Sequence, residues 1–272
     1  MKPSRLATVV VVGAIFIAIG VFVGSTVNWF PVQSSAEAHE VDNLFNIMLA
    51  IATVIFLIII FRLPSSLSST ILASMAAYGA FVVALTTFSI SLATERSLGW
   101  NKLLRTTSMS SALYLGSKLL VILVTGTIAM VLLFAVAGFS GIVHLDLAGW
   151  AELLGTMVLG IIPLSLLGLF LGFLGSIGLT VTLPMSLLVV MSFASGIFIP
   201  MQYLPDFLQK IAPYLPTYNL VQLAWTIVGS PSSDGQVWTH VLILLAYAAG
   251  FAVLAGWAYI RDENKNFARG RQ

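Results

Sequence analysis

Long apolar runs separated by short polar intervals dominate this chain, at about 6–27, 45–61, 70–92, 114–138, 150–174, 179–199 and 237–260. Crossing about 30 Å of hydrocarbon takes about 20 helical residues, whereas barrel strands run to about ten residues and alternate in polarity. The pattern predicts an all-α polytopic membrane protein with about seven transmembrane helices. The first run, LATVVVVGAIFIAIGVFVGSTV, is longer than the roughly 7–15 residue apolar core of a cleaved secretory signal, so it reads as a retained helix. The second, LFNIMLAIATVIFLIIIF, is short for a full crossing and calls for little tilt or some local thinning of the bilayer.

One interval breaks the rhythm. Residues 200–236 carry five of the ten prolines, and proline stops a helix within a turn. Two short helices are expected there, at about 204–212 and 217–228. They are expected to lie at the membrane interface, where Tyr203, Tyr214, Tyr218 and Trp225 suit the headgroup region.

Composition agrees with the pattern: 59% of residues are hydrophobic and 8% charged, against roughly a quarter charged in soluble chains. The net charge of +2 does not suggest a nucleic-acid partner. With no cysteine, disulfides, thiolate metal sites and cysteine nucleophiles are excluded. The distribution of charge is more telling. Arg96, Lys102, Arg105 and Lys118 cluster around the interval 93–113, and Arg261, Lys265, Arg269 and Arg271 lie in the C-terminal tail, together eight of the twelve basic residues. Four crossings separate the two regions, so both fall on one side, and basic residues prefer the cytoplasm. Counting back puts the acidic loop 28–44 (Glu37, Glu40, Asp42) inside and the N-terminus outside, with Lys2 and Arg5 on the outer face.

Catalytic constellations are scarce. His39, His144 and His240 fall in different intervals or at different span ends, without a second ligand at metal spacing, and read as interfacial histidines. His144–Asp146, with Glu152 six positions after Asp146, reads as polar decoration of a loop, a cation or proton site being the alternative. No GxxxxGK[ST] pattern occurs, so nucleotide is not bound by that route. No span centre carries an ionisable group, which argues against a proton relay. If the protein moves a solute, the energy comes from elsewhere, and no metal or cofactor is expected on this chain. Gly168, Gly172, Gly175 and Gly178 recur every three or four positions, reading as a helix-packing face or a glycine-lined path. Thr70, Ser74, Tyr78, Thr86, Thr87, Ser89 and Ser91 share the third span, where hydroxyls are expected to bond one turn back.

The stretch ATERSLGWNKLLRTTSM concentrates charge. At 100° per residue Trp100, Leu103 and Leu104 share one face and Glu95, Lys102 and Arg105 the opposite one, the layout of a short helix on the membrane surface. It reads as a lipid-anchoring loop or as a docking surface for a soluble partner.

That stretch, with Tyr114 and Lys118 after it, resembles the cytoplasmic loop ERxxGWxxxLRxxPM of type-2 permease subunits of ATP-binding-cassette exporters. Glu95, Arg96, Gly99, Trp100, Leu104, Arg105 and Met109 match, and Ser108 stands where proline is usual. The segment GIFIPMQYLPDFLQKIAPYLPTYNLVQLAWTIVG is similar to the family's outer segment, through Pro200, Leu204, Pro205, Leu208, Pro213, Pro216, Tyr218 and Gly229. The resemblance covers about 45–260. It implies a six-helix permease core over 45–272 preceded by an extra helix and loop over 1–44. It also implies a homodimer or heterodimer, and a separate ATPase carrying ATP and Mg that docks on the loop through Glu95, Arg96, Gly99, Trp100, Lys102, Leu104 and Arg105. Pro200, Leu204, Pro205, Pro213, Pro216 and Tyr218 would form an outer gate, and the implied function is export of a hydrophobic or amphiphilic cargo across a bacterial plasma (inner) membrane. Residues 1–62 resemble the membrane hairpin of cytochrome c oxidase subunit II, without its copper ligands. The alternative implied is a structural or assembly subunit of a respiratory oxidase.

Overall fold

The computed structural model describes residues 65–97, 111–139, 145–174 and 177–269, together with Val143, and every regular element among them is helical. The expected spans 6–27 and 45–61 lie outside the described residues. The described part contains four helices long and apolar enough to cross a membrane, 67–95, 113–139, 147–173 and 237–261, and a shorter apolar helix, 178–194. By contacts the chain forms two compact units, Met1–Ser68 with Val136–His144 and Ser69–Ala135 with Leu145–Gln272. The second unit carries the sites described below.

Helix α1 (Ser65–Val82) runs through a single π turn (Val83–Thr87) into α2 (Phe88–Ser97). Val82 and Phe88, which flank the turn, keep right-handed helical dihedrals, so the rod is continuous. Helices α3 (Ser111–Phe139), α4 (Leu147–Phe173) and α5 (Ile177–Ala194) follow. After α5 come the short α6 (Asp206–Ile211), then α7 (Pro216–Ile227) and the long α8 (Val237–Arg269). The start of α4 is set by Asp146, whose Oδ1 accepts the Gly149 N–H at 2.9 Å, an N-cap that satisfies one of the free amides of the first turn. Asp146 therefore has a structural task, and Glu152 is exposed.

Helix α4 is the hub, touching α2, the π turn, α7 and α8. Gly160, Leu164, Gly168 and Gly172 recur at multiples of four and form one ridge, along which the missing side chains admit neighbours. A Cβ built at Gly168 would stand 2.8 Å from the Ala84 carbonyl oxygen and 2.9 Å from that of Leu85, so here backbone meets backbone at the π turn. At Gly172 the neighbour is the Leu92 side chain, and at Gly160 it is Leu220 of α7. The glycine stripe is thus a packing face at Gly168 and Gly172. Gly178 has open space around it and Gly175 lies outside the described residues.

The prolines act as the chain pattern predicts: α6 and α7 occupy 206–211 and 216–227, each entered through proline. Helix α7 is set among the helices of its own chain rather than laid on their surface. Tyr203 and Tyr214 are exposed, but Trp225 is 3% exposed, Leu220 1% and Asn219 and Val221 0%. Its polar groups are matched by partners inside the bundle, which is what lets such a segment leave the surface. The Trp225 indole N–H donates to Ser74 Oγ at 2.9 Å, Thr70 donates to Ser230 at 2.8 Å, and Thr217 is hydrogen-bonded to Ser195 at the end of α5. The hydroxyls of the third span divide accordingly. Thr86 bonds back to the Val82 carbonyl, while Ser74 takes up Trp225 and Ser89 donates across to the Thr180 carbonyl at 3.4 Å. Helix α7 ends on Gly229 at φ +64, where the Ser230 N–H reaches the Trp225 carbonyl at 2.8 Å, a left-handed position that glycine adopts without steric cost.

Gly168→Val should be destabilising by about 1–3 kcal/mol, because two backbone carbonyls cannot retreat from the added side chain. Gly178→Val, with nothing nearby, should be close to neutral. Thermal unfolding of the two variants in one detergent checks the difference, and equal melting temperatures would count against the backbone contact.

Candidate functional site

Two polar nodes lie toward opposite ends of the α1–α2 rod. From Thr70 to Glu95 the chain is continuous helix, and at about 1.5 Å per residue the separation is roughly 35–40 Å, more than the hydrocarbon thickness. Such a separation is long enough to span the hydrocarbon.

The first node joins α2 to α3 at the root of the interval 98–110. Glu95 forms an ion pair through Oε1 with Lys118 and accepts through Oε2 the Tyr114 hydroxyl. Ser91 completes the cluster, its Oγ 3.3 Å from Lys118 Nζ and 3.4 Å from Glu95 Oε1. The Lys118 ammonium also lies 5.9 Å from the Tyr114 ring centre. The spacing explains why these residues coincide. Ser91 and Glu95 stand four apart on α2, as do Tyr114 and Lys118 on α3, so each pair shares a helix face. Glu95 was expected as a docking contact, yet its carboxylate is engaged by its own chain. Arg96 belongs to α2, but its side chain, like Gly99, Trp100, Lys102, Leu104 and Arg105, lies outside the described residues.

The second node contains the expected gate residues. Pro200 enters the short turn Met201–Tyr203, whose end is marked by the Leu204 N–H bonding the Met201 carbonyl. Pro205 precedes α6, Pro213 lies in the turn Ala212–Tyr214, and Pro216 opens α7. Tyr218 is 9% exposed and packs edge-on against the His240 ring. His240 and Asp234 are the members that the sequence reading left out of any cluster. His240 is 3% exposed and lies between Asn219 Oδ1, 2.7 Å from Nδ1, and Asp234 Oδ1, 2.8 Å from Nε2. Burial pushes the Asp234 carboxyl up, but the Gln236 N–H and His240 outweigh it and leave the group below its ordinary value. The Tyr218 hydroxyl is raised, first by burial and then by the Asp234 charge, against a hydrogen bond with Gln222. A signal for this cluster was present in Asn219 and Gln222, the two amide side chains of the helix, three apart.

Among the described residues no group of three or more His, Asp or Glu is arranged to hold a metal ion. Between the two nodes the spans are free of Asp, Glu, Lys and Arg: none occurs at 65–94, 119–145 or 153–205. The charged groups of the described helices are thus confined to regions near their ends.

Comparison with known proteins agrees with that character. A sequence model of the family described as ABC-2 family transporter protein matches residues 23–257. A protein of Bacillus subtilis (strain 168) named "Putative transport permease YvfS" is 26% identical over 196 residues, which cover 71% of this chain and 77% of that relative. The family match takes in much of the stretch that resembles an oxidase hairpin. Neither comparison supports the oxidase resemblance, and the oxidase reading is set aside. A pair of apolar helices joined by a short acidic turn carries little specific information, because hydrophobicity alone dictates most of its residues.

The ion pair of the first node is testable by a double-mutant cycle with Glu95→Gln and Lys118→Met. With both side chains about a quarter exposed, the coupling should be about 1–2 kcal/mol, below that of a fully buried pair. Additive losses in unfolding free energy would show that the two side chains act independently.

Proposed function

The chain belongs to the ABC-2 transporter family as a multi-pass membrane permease, and we propose that it works as the membrane subunit of an ATP-driven exporter. ATP and Mg are held by a separate ATP-binding subunit, which docks on the inner loop. The observation that carries this reading is the family match over 23–257, which includes both the charged loop and the proline-rich segment. The absence of a phosphate-binding loop supports it, since work must then be imported from a partner.

On this reading the loop 98–110 is the docking surface, with Gly99, Trp100, Lys102, Leu104 and Arg105 facing the ATPase. Arg96 stands beside them on α2, and Glu95 braces the loop's root through Tyr114 and Lys118. Docking against two helices that are already clasped loses less of the applied motion than docking against two free ends, since fewer groups must be ordered when force arrives. The segment 200–229 serves as the outer gate. Being packed against α1, α4, α5 and α8, it responds when those helices move. Two permeases, identical or homologous, would enclose a path for a hydrophobic or amphiphilic cargo. The basic C-terminal tail supports a cytoplasmic C-terminus in a bacterial plasma membrane.

Reversal of charge at Arg105, or Gly99→Pro, should abolish cargo-stimulated ATP hydrolysis by the reconstituted permease–ATPase complex while leaving membrane insertion intact. Hydrolysis at the unmodified rate, with the ATPase still co-purifying, would sink the docking assignment.

A further inference from the structure

The chemistry around His240 is more specific than a packing role needs. The Asn219 amide donates its Nδ2 hydrogens to the Pro213 carbonyl at 2.9 Å and the Leu215 carbonyl at 2.7 Å. Carbonyls cannot donate, so the orientation of that amide is fixed and its oxygen, an acceptor, faces His240 Nδ1. On the other side Nε2 faces Asp234 Oδ1, which also accepts the Gln236 N–H at 3.0 Å. Both ring nitrogens thus point at acceptors. A neutral imidazole has one N–H and can satisfy only one of them; the doubly protonated ring satisfies both.

The two acceptors belong to different pieces of the outer segment. Asn219 sits in the first turn of α7, and Asp234 in the loop that leads to α8. Asp234 is itself tied to α7 through its backbone N–H, 3.2 Å from Gln222 Oε1. His240 is in the first turn of α8 and holds both pieces to that helix. We propose that His240 is a positioning residue of the outer segment, pinning α7 and the 228–236 loop to α8 through a ring that donates from both of its nitrogens.

The groups facing the ring are few. Asp234 is the charged group bonded to it and Tyr218 the titratable ring against it. On α4, Asp146 is engaged in its own helix cap and Glu152 is exposed; on α6, Asp206 and Lys210 are exposed. The sign of the pH dependence follows. Asp234 titrates below its ordinary value in the folded chain, so its contribution is present above the unfolded carboxylate range and is lost as pH falls through the lowered value. The Asp234 arm of the clasp should therefore weaken as pH falls through that lowered value.

The chain has three histidines, so ring-15N labelling of the full-length protein in detergent gives a small set of signals, and His240→Gln identifies the one of interest. At about pH 6 that signal should show two protonated ring nitrogens. Backbone hydrogen exchange over 216–230 at the same pH should be about tenfold faster in His240→Gln than in the unmodified chain, the loss of one charged hydrogen bond. Asp234→Asn, whose amide can offer either a donor or an acceptor to Nε2, should no longer require the second ring proton and should show one bare ring nitrogen while keeping its fold. A ring with one bare nitrogen in the unmodified chain, or unchanged exchange in His240→Gln, would overturn the proposal. The measurements use the permease alone, so their failure leaves the exporter reading intact, and failure of ATPase docking leaves this one intact.

Discussion

In a membrane a chain that leaves the helical ladder must find partners for its polar groups within the protein, because hydrocarbon offers none. This constraint governs residues 195–236, where the backbone breaks repeatedly yet most of α7 is buried. Each break has its own remedy. Gly196 and Gly229 take left-handed dihedrals that let the following amides return to the preceding helix. The proline at the head of α7 has no amide to satisfy. The polar side chains of α7 then reach outward, Thr217 to α5, Trp225 to α1 and Asn219 to α8. Interhelical hydrogen bonds in membranes contribute about 0.6–2 kcal/mol each. Several such bonds on twelve residues are consistent with α7 being held inside the bundle.

The same constraint sets the character of α4. Its ridge of Gly160, Gly168 and Gly172 brings α7, the π turn and α2 close without any polar side chain. At Gly168 the neighbouring atoms are the carbonyls of Ala84 and Leu85, inside and just before which the helix has locally widened to the π pattern. A π turn leaves carbonyls less regularly bonded than an α-helix does, and such turns recur at functional positions. Here a glycine backbone lies against the irregularity, so the two features are one packing solution.

Much of this was readable from spacing alone. The spans over 70–92, 114–138, 150–174 and 237–260 recur as helices because continuous apolarity at that length has one physical outcome, while 179–199 recurs as the shorter apolar helix 178–194. The short helices between the prolines recur because proline excludes longer ones. The burial of α7 was not readable. Tyr218 and Trp225 have the amphipathic chemistry of interface anchors, and only the partners, Ser74 for the indole and His240 against the phenol, decide that they turn inward. Those partners lie 151 and 22 positions away. The His240 cluster was missed for a related reason. Its members stand at 219, 234 and 240, on a helix, a loop and a second helix, and no local periodicity joins them. The π turn was not anticipated, although three of its five residues, Val83, Thr86 and Thr87, are β-branched.

What joins the two nodes is a rod without charge. Residues 65–94 contain no Asp, Glu, Lys or Arg, and the rod is held laterally by apolar packing, with Phe81, Leu85, Phe88 and Leu92 buried, and by a few hydroxyls. Along such an interface displacement breaks few directional bonds, whereas an ion pair at mid-depth would have to be desolvated anew. The directional interactions are concentrated at the ends instead: Glu95 with Lys118 and Tyr114 at one, Thr70, Ser74 and α7 at the other. A rod whose charged and interhelical polar contacts lie toward its ends is suited, on the exporter reading proposed above, to pass displacement from one end to the other. That property follows from where the sequence places its few polar groups.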